Sequence, residues 1–230
     1  MLVTVNSELR ISVETKLEFS EKIDYLKRVF IDSIENISTD INNIENKYHL
    51  EYGHDLVDLS TEDIEYHNSE IIKLEKAASQ FPQIIIKATI VSIHSIFESL
   101  LIRICKSIEN EFQSKIKQKQ LRTVGNEIDN TFNYLKLVHH LEFEKVKSDK
   151  DRLRNYIKIR NCIVHQNGDL NQLNESNQRE ISKMLNEFKN LEIDDEGLIV
   201  FDKDFVFEYL DFILKFAFKF FDEFHIDVKG

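Results

Sequence analysis

From residue 16 to residue 47, the apolar positions Leu17, Ile23, Leu26, Phe30, Ile34, Ile37, Ile41 and Ile44 recur mostly three or four residues apart, with polar and charged residues between them. That period predicts one long amphipathic helix. The stretch "YGHDLVDLSTED" interrupts it, and Ser60 or Thr61 is placed to cap a second helix running to about Ser79. Pro82 suits the first turn of a third helix, where its missing N–H is not needed. That helix, "QIIIKATIVSIHSIFESLLIRICKSIENEF", is the most apolar element of the first half and is expected at the centre of the core. No strand pattern precedes residue 190.

A polar, basic connector, "KIKQKQLRTVGNEIDN", leads to helices expected over about 127–143, 150–166 and 176–189. "LEIDDEGLIVF" carries the marks of a β-hairpin, with apolar runs Leu191–Ile193 and Leu198–Phe201 joined by acidic residues and Gly197. Asp204 is placed to cap a last helix over 205–224. Along it, Asp211, Lys215, Lys219 and Glu223 form one narrow polar stripe on an otherwise Phe-rich surface. A helix apolar over most of its circumference is expected to be buried on several sides or to contribute to a subunit interface.

Composition narrows the fold class. Five glycines and one proline in 230 residues are too few for a sandwich or barrel, and 42% hydrophobic content argues against disorder. The reading is an all-α helical bundle with one small β-hairpin near residues 191–201. Its expected organisation is an N-terminal helical extension over 1–80 and a helical domain over 81–230, packed as one unit.

Net charge is −11, a poor global match to a polyanion, but it is uneven. From Arg103 to Arg160 there are 14 Lys/Arg against 8 Asp/Glu, a local +6 between acidic flanks. Such a middle can hold a phosphate backbone locally, or it can be an ordinary solvated helix surface. Cys105 and Cys162 are scattered and form no Cys/His ligand group, which fits a reducing compartment and implies no metal. "MLVTVNSELR" does not read as a signal peptide, and "FILKFAFKFFDEF" is too short and too charged to span a bilayer. The expectation is a cytoplasmic protein without a membrane association, and no cofactor is implied.

The candidate chemistry lies in "IRNCIVHQNGDL", residues 159–170. On a helix, Leu153, Ile157, Arg160 and Val164 share a face, so Arg160 interrupts an apolar stripe. An inward arginine needs an anion, because it does not escape by losing its proton. Glu98, the acid within "IVSIHSIFESLLIRI", is the expected internal partner. Asn161 and His165, four residues apart, face the same way, and Asn167-Gly168 is the expected left-handed stop of the helix. The helix dipole favours a cation at that end. An arginine fork beside a titratable histidine suits phosphodiester chemistry, the arginine gripping nonbridging oxygens and the histidine moving protons.

"RNCIVH", residues 160–165, resembles the R-N-x-x-x-H form of the R-x4-6-H motif of HEPN domains, an all-helical family. "SIFESLL", with Glu98, looks like the family's earlier core helix. The resemblance covers roughly residues 82–225 and is strongest over 153–168. It implies a metal-independent endoribonuclease of a prokaryotic defence or toxin–antitoxin system. Such an enzyme would work as a homodimer on an RNA substrate, with an antitoxin or other regulatory protein as a further partner. It also implies Arg160 and His165 as the catalytic pair, Asn161 as a polar helper and Glu98 in support. The reaction would be attack of the RNA 2′-hydroxyl on phosphorus to leave a 2′,3′-cyclic phosphate. Some toxin members carry a tyrosine two residues after the histidine. Asn167 stands there, which argues against that subgroup and its modification chemistry.

The competing reading is a non-catalytic helical module of the same fold that holds RNA or a protein partner. His139-His140 would line a nucleic-acid groove or simply end a helix. His94, in an apolar run, reads as a satisfied core histidine. "RTVGNE" has no glycine-rich phosphate loop.

Overall fold

The computed structural model describes residues 13–52, 61–121 and 126–224. Ser60, one of the two residues placed to cap the second helix, and Gly125 of the basic connector fall outside them. The described chain is all-α with one hairpin, as the periodicity predicts. In order come α1 (Val13–Tyr52), α2 (Thr61–Glu111), α3 (Glu127–His139), α4 (Lys150–Gln166), α5 (Glu175–Leu185), β1 (Leu191–Ile193), β2 (Ile199–Phe201) and α6 (Lys203–Phe221).

α2 is the hub, packing against α1, α3, α4, α6 and β2. Its buried residues Ile86, Ile90, Ile93, Phe97, Leu101, Ile104 and Ile108 follow the helical period and meet Phe19, Ile23 and Phe30 of α1 in one continuous core. The N-terminal helix is therefore part of that core, and the boundary expected near residue 80 falls in mid-helix. Between Ile64 and Glu111, α2 is long and apolar enough to cross a membrane; 44% of its most apolar window is buried against the other helices.

Pro82 does not start a helix. α2 runs through it without a break for 51 residues. Proline in a helix interior loses one backbone hydrogen bond and crowds the preceding turn. Phe81 and Ile84 beside it are 53% and 58% exposed, so the disturbed turn lies where water can take up a freed carbonyl. One residue later, the Gln83 amide ties this turn to β2. Its Nε2 donates to the Phe201 carbonyl at 2.8 Å, and its Oε1 accepts from the Phe201 N–H at 3.0 Å.

Other boundaries shift for local reasons. α3 stops at His139 because His140 adopts a left-handed conformation, φ 56°, and turns Phe143 back into the core. α5 is shorter than its periodicity suggests, ending at Leu185, with Phe188 buried just beyond. The cap of α6 is Asp202, whose side chain accepts from the Asp204 N–H; Asp204 is already in the first turn.

α6 is the second central element. Phe205, Val206, Tyr209, Leu210, Ile213, Phe216, Ala217, Phe220 and Phe221 are all buried, while Asp211, Lys215 and Lys219 of the polar stripe are exposed. Its rings pack edge-to-face on Phe97 and Phe132 and stack on Phe143 and Tyr156, the last through Tyr209 at 4.1 Å. The phenylalanines thus fill the protein's own core, and Phe218, 42% exposed, is the apolar side chain of α6 that most faces solvent.

Candidate active site

α4 carries the candidate residues, and its C-terminal end is held from three directions. Asn167 adopts φ 54°, and the Gly168 N–H bonds back to the Cys162 carbonyl at 3.1 Å, so the Asn-Gly pair stops the helix as expected. Gly168 itself sits at φ 84°, where a side chain would be strained. The Ile199 N–H donates to the Gly168 carbonyl, and the Leu170 N–H to that of Gly197, which clamps the exit segment to the hairpin. From α2, the Lys87 ammonium donates to the Asn167 carbonyl at 2.8 Å, a cation against the negative end of the helix dipole. Burial holds the Lys87 pKa below the ordinary lysine value.

On this fixed helix end, His165 is exposed, one turn past the partly buried Asn161. Arg160 is partly buried, and its Nη1 donates to the Asn161 Oδ1 at 3.0 Å. That is the one hydrogen bond its guanidinium makes among the described residues, and its buried Nε has no acceptor. The structure therefore joins Arg160 to Asn161 and places His165 a turn away.

Glu98 does not hold Arg160. Its carboxylate instead meets His94 Nε2 at 3.3 Å, one turn earlier on α2, while His94 Nδ1 contacts the Tyr209 hydroxyl of α6 at 3.0 Å. Helical spacing decides this: residues four apart on α2 are neighbours, whereas Arg160 must reach from another helix. The His94 hydrogen bond holds the Glu98 pKa below its ordinary value against the opposing effect of burial, and the Arg160 charge adds to the lowering from a distance. Complete burial raises the Tyr209 pKa, and Tyr156 and Glu98 raise it further, while Arg160 opposes them. Arg160 thus stands within electrostatic reach of Glu98 and Tyr209 without an ion pair to either.

The other basic residues of the middle segment behave differently. Arg103 pairs with Glu18 of α1 at 2.5 Å, Arg152 with Glu208 of α6, Lys158 with Glu180 of α5, and Arg154 with Asp151 at 3.0 Å. The Lys150 ammonium lies over the Phe132 and Phe143 rings, 4.9 and 5.0 Å from their centres. Much of the local positive charge is thus met within the protein. Of the lysines and arginines on α4, Arg160 is the one with neither a carboxylate nor a ring against it among the described residues.

The remaining candidates have structural roles. His94 is a satisfied core histidine, 1% exposed with both ring nitrogens in contact. His139 packs on Phe112 and Tyr134, and burial lowers its pKa. Burial pushes the Cys105 thiol up to about 12 and raises Cys162 as well, which disfavours the thiolate at both. Among the described residues no three His, Cys, Asp or Glu side chains gather as a metal-binding group. One groove of about 280 Å³ lies between α1 and α2, around Phe19, Ile96 and Arg103; another, of about 480 Å³, runs along α4 by Arg152, Lys158 and Glu187. Neither contains Arg160 or His165.

Sequence reasoning missed Lys87 and Tyr209. A signal for Lys87 was present. Gln83, Lys87, His94 and Glu98 lie four, seven and four residues apart, a polar line down an apolar helix. Gln83 reaches β2, Lys87 the end of α4, and His94 the hydroxyl on α6. Tyr209 gave no such signal, being one aromatic among many in α6.

Compared with known proteins, the chain matches no family model, no curated protein and no solved structure.

Proposed function

We propose that this protein is a HEPN-type endoribonuclease in which Arg160, Asn161 and His165 act on an RNA phosphodiester. The observation that supports this reading most is the state of Arg160: a partly buried guanidinium bonded to Asn161, with no carboxylate against it and no acceptor at its buried Nε among the described residues. A desolvated cation with unspent donors is costly unless it serves an anion. Its fork suits the nonbridging oxygens of a phosphate. His165, exposed one turn away, takes the proton role, as base for the 2′-hydroxyl or as acid for the departing 5′-oxygen. The product is a 2′,3′-cyclic phosphate and a 5′-hydroxyl end.

One chain offers one histidine on an open surface, whereas the two proton transfers call for two groups and an enclosing wall. A second copy related by a two-fold axis supplies both, so the active form is a homodimer with the two His165 side chains facing one cleft. The exposed Val164, 46% accessible beside His165, is available to that contact. A cytoplasmic location, a defence or toxin–antitoxin role and control by an antitoxin-like protein belong to the same reading.

A second reading is favoured by a different observation. The acids that neutralise Arg103, Arg152, Arg154 and Lys158, with a net charge of −11, leave little free positive surface for a long RNA. Of the non-catalytic modules, one that binds a protein partner fits that electrostatic balance better than one that binds RNA. Incubating the purified protein with a mixed RNA pool in EDTA separates the two. Fragments ending in cyclic phosphate support the nuclease, and intact RNA at every protein concentration supports the module.

A further inference from the structure

Past Asp151, α4 holds no carboxylate. From Arg152 to Gln166 it carries Arg152, Arg154, Lys158, Arg160 and His165, and neither Asp nor Glu. Arg154, Lys158, Asn161 and His165 are four, three and four residues apart, so they share one face of the helix. Arg154 and His165 are exposed and the two between them partly so, which makes this the solvent face. At 1.5 Å of rise per residue, Lys158 stands about 10 Å and Arg154 about 16 Å before His165 along the axis. The groove of about 480 Å³ opens beside these two cations, with Asn155, Asp151 and Glu187 also in its wall.

Both cations have carboxylate partners, yet those partners are open to exchange. The side chain of Asp151, against Arg154, is 91% exposed, and that of Glu180, which meets Lys158 from α5, is 58% exposed. Ion pairs so accessible to water contribute little, and a phosphate oxygen can take the place of either carboxylate. Arg152 differs. Its guanidinium lies against the Tyr156, Phe188 and Phe212 rings and is held by Glu208, so it stays out of the line.

We propose that the solvent face of α4 from Arg154 to His165 is a track for a short single strand of RNA, with Lys158 and Arg154 gripping phosphates to one side of the bond that is cut. The proposal rests on Asn161 and His165 belonging to the reacting site of the reading above, and it adds two cationic positions to that site. A single strand can lie along a straight row of side chains, and its rotatable backbone can bring a 2′-hydroxyl into line with the departing 5′-oxygen. The one aromatic residue of α4, Tyr156, is fully buried, so this face offers no ring for a base to stack on. The track therefore holds the backbone and tolerates any base sequence.

The test is binding of a 2′-O-methyl oligouridylate of about eight nucleotides, which cannot be cut, to the full chain as salt is raised. The variant is Arg154→Gln combined with Lys158→Gln. The control is Lys73→Gln, which breaks a comparable exposed ion pair, with Glu70, on α2. Each phosphate contact of a single strand contributes about 0.7 to the slope of log affinity against log salt, so the double variant should lose about 1.4 of slope and bind about tenfold less tightly at low salt. The control should match the parent. Glu180→Gln frees Lys158 without removing a cation, and should tighten binding about two- to threefold.

Parent-like slope and affinity in the double variant, or an equal loss in the control, would overturn the track. If the double variant does not fold, Glu180→Gln decides, and unchanged or weaker binding overturns the proposal. Binding through these two residues by a parent that cuts no RNA leaves the track standing and removes the nuclease. Cleavage by the parent, with binding intact in the double variant, removes the track and leaves the nuclease. A parent that binds no oligonucleotide at low salt overturns the track as well.

Discussion

His94 Nε2 lies 3.3 Å from the Glu98 carboxylate, one turn along α2. This contact joins a nearly inaccessible imidazole to a carboxylate whose side chain is 22% exposed. His94 holds the Glu98 pKa below the ordinary carboxylate value. A carboxylate whose pKa is lower folded than unfolded stabilises the fold above the unfolded value. That contribution is lost as pH falls through the folded value. Glu98→Gln should therefore be less stable than the parent at neutral pH, and the difference should shrink as pH drops below about 4.5. Urea unfolding at several pH values measures it. A difference independent of pH would mean that the carboxylate charge is not what His94 binds.

Gln83 and Phe201 form the tie between α2 and the hairpin. Gln83→Leu removes both amide hydrogen bonds and leaves the Phe201 backbone groups without these partners. The expected loss is about 1–3 kcal/mol of unfolding free energy, because the penalty comes from groups left unsatisfied. Hydrogen exchange at the Phe201 amide should accelerate in the same variant. Unchanged stability and unchanged exchange would show that the hairpin is held by its apolar contacts alone.

Pro82 interrupts the hydrogen-bond ladder of a helix that continues on both sides of it. Pro82→Ala restores the missing N–H and relieves crowding of the previous turn, so thermal stability should rise. The gain should be about 1–3 kcal/mol, the upper value being the helix-interior cost of proline. A destabilised variant would mean that the helix needs the bend or rigidity that proline imposes at this turn.

The long apolar periods were legible because they record the core directly. Ile23, Phe30, Ile90, Phe97 and Leu101 face inward where the period of 3.6 places them, whereas Leu17 and Ile44 of the same period are exposed and Phe19, outside it, is buried; the Asn167-Gly168 stop follows from backbone preference alone. The continuity of α2 was not legible, since proline preference argues locally for a helix start, whereas packing on both sides of Pro82 is a property of the whole fold. The fate of the Phe-rich surface of α6 was open for a similar reason. One helix cannot reveal whether its apolar faces meet its own chain or another. At the candidate site, the joining of Arg160 to Asn161 follows from adjacency, but the partner of Glu98 does not. Two bases were within reach of that acid in principle, and the sequence holds no distance that ranks His94 above Arg160.

The most direct test of the central claim is cleavage of RNA by His165→Ala beside the parent protein, with unfolding followed on the same samples. His165 is exposed at a helix end, so its loss should change stability by no more than about 0.5–1 kcal/mol. If it transfers protons, cleavage should fall by roughly 100-fold or more, and the parent's products should carry cyclic phosphate ends in the presence of EDTA. A folded His165→Ala protein that cuts RNA as fast as the parent would contradict the account and leave the binding module as its replacement.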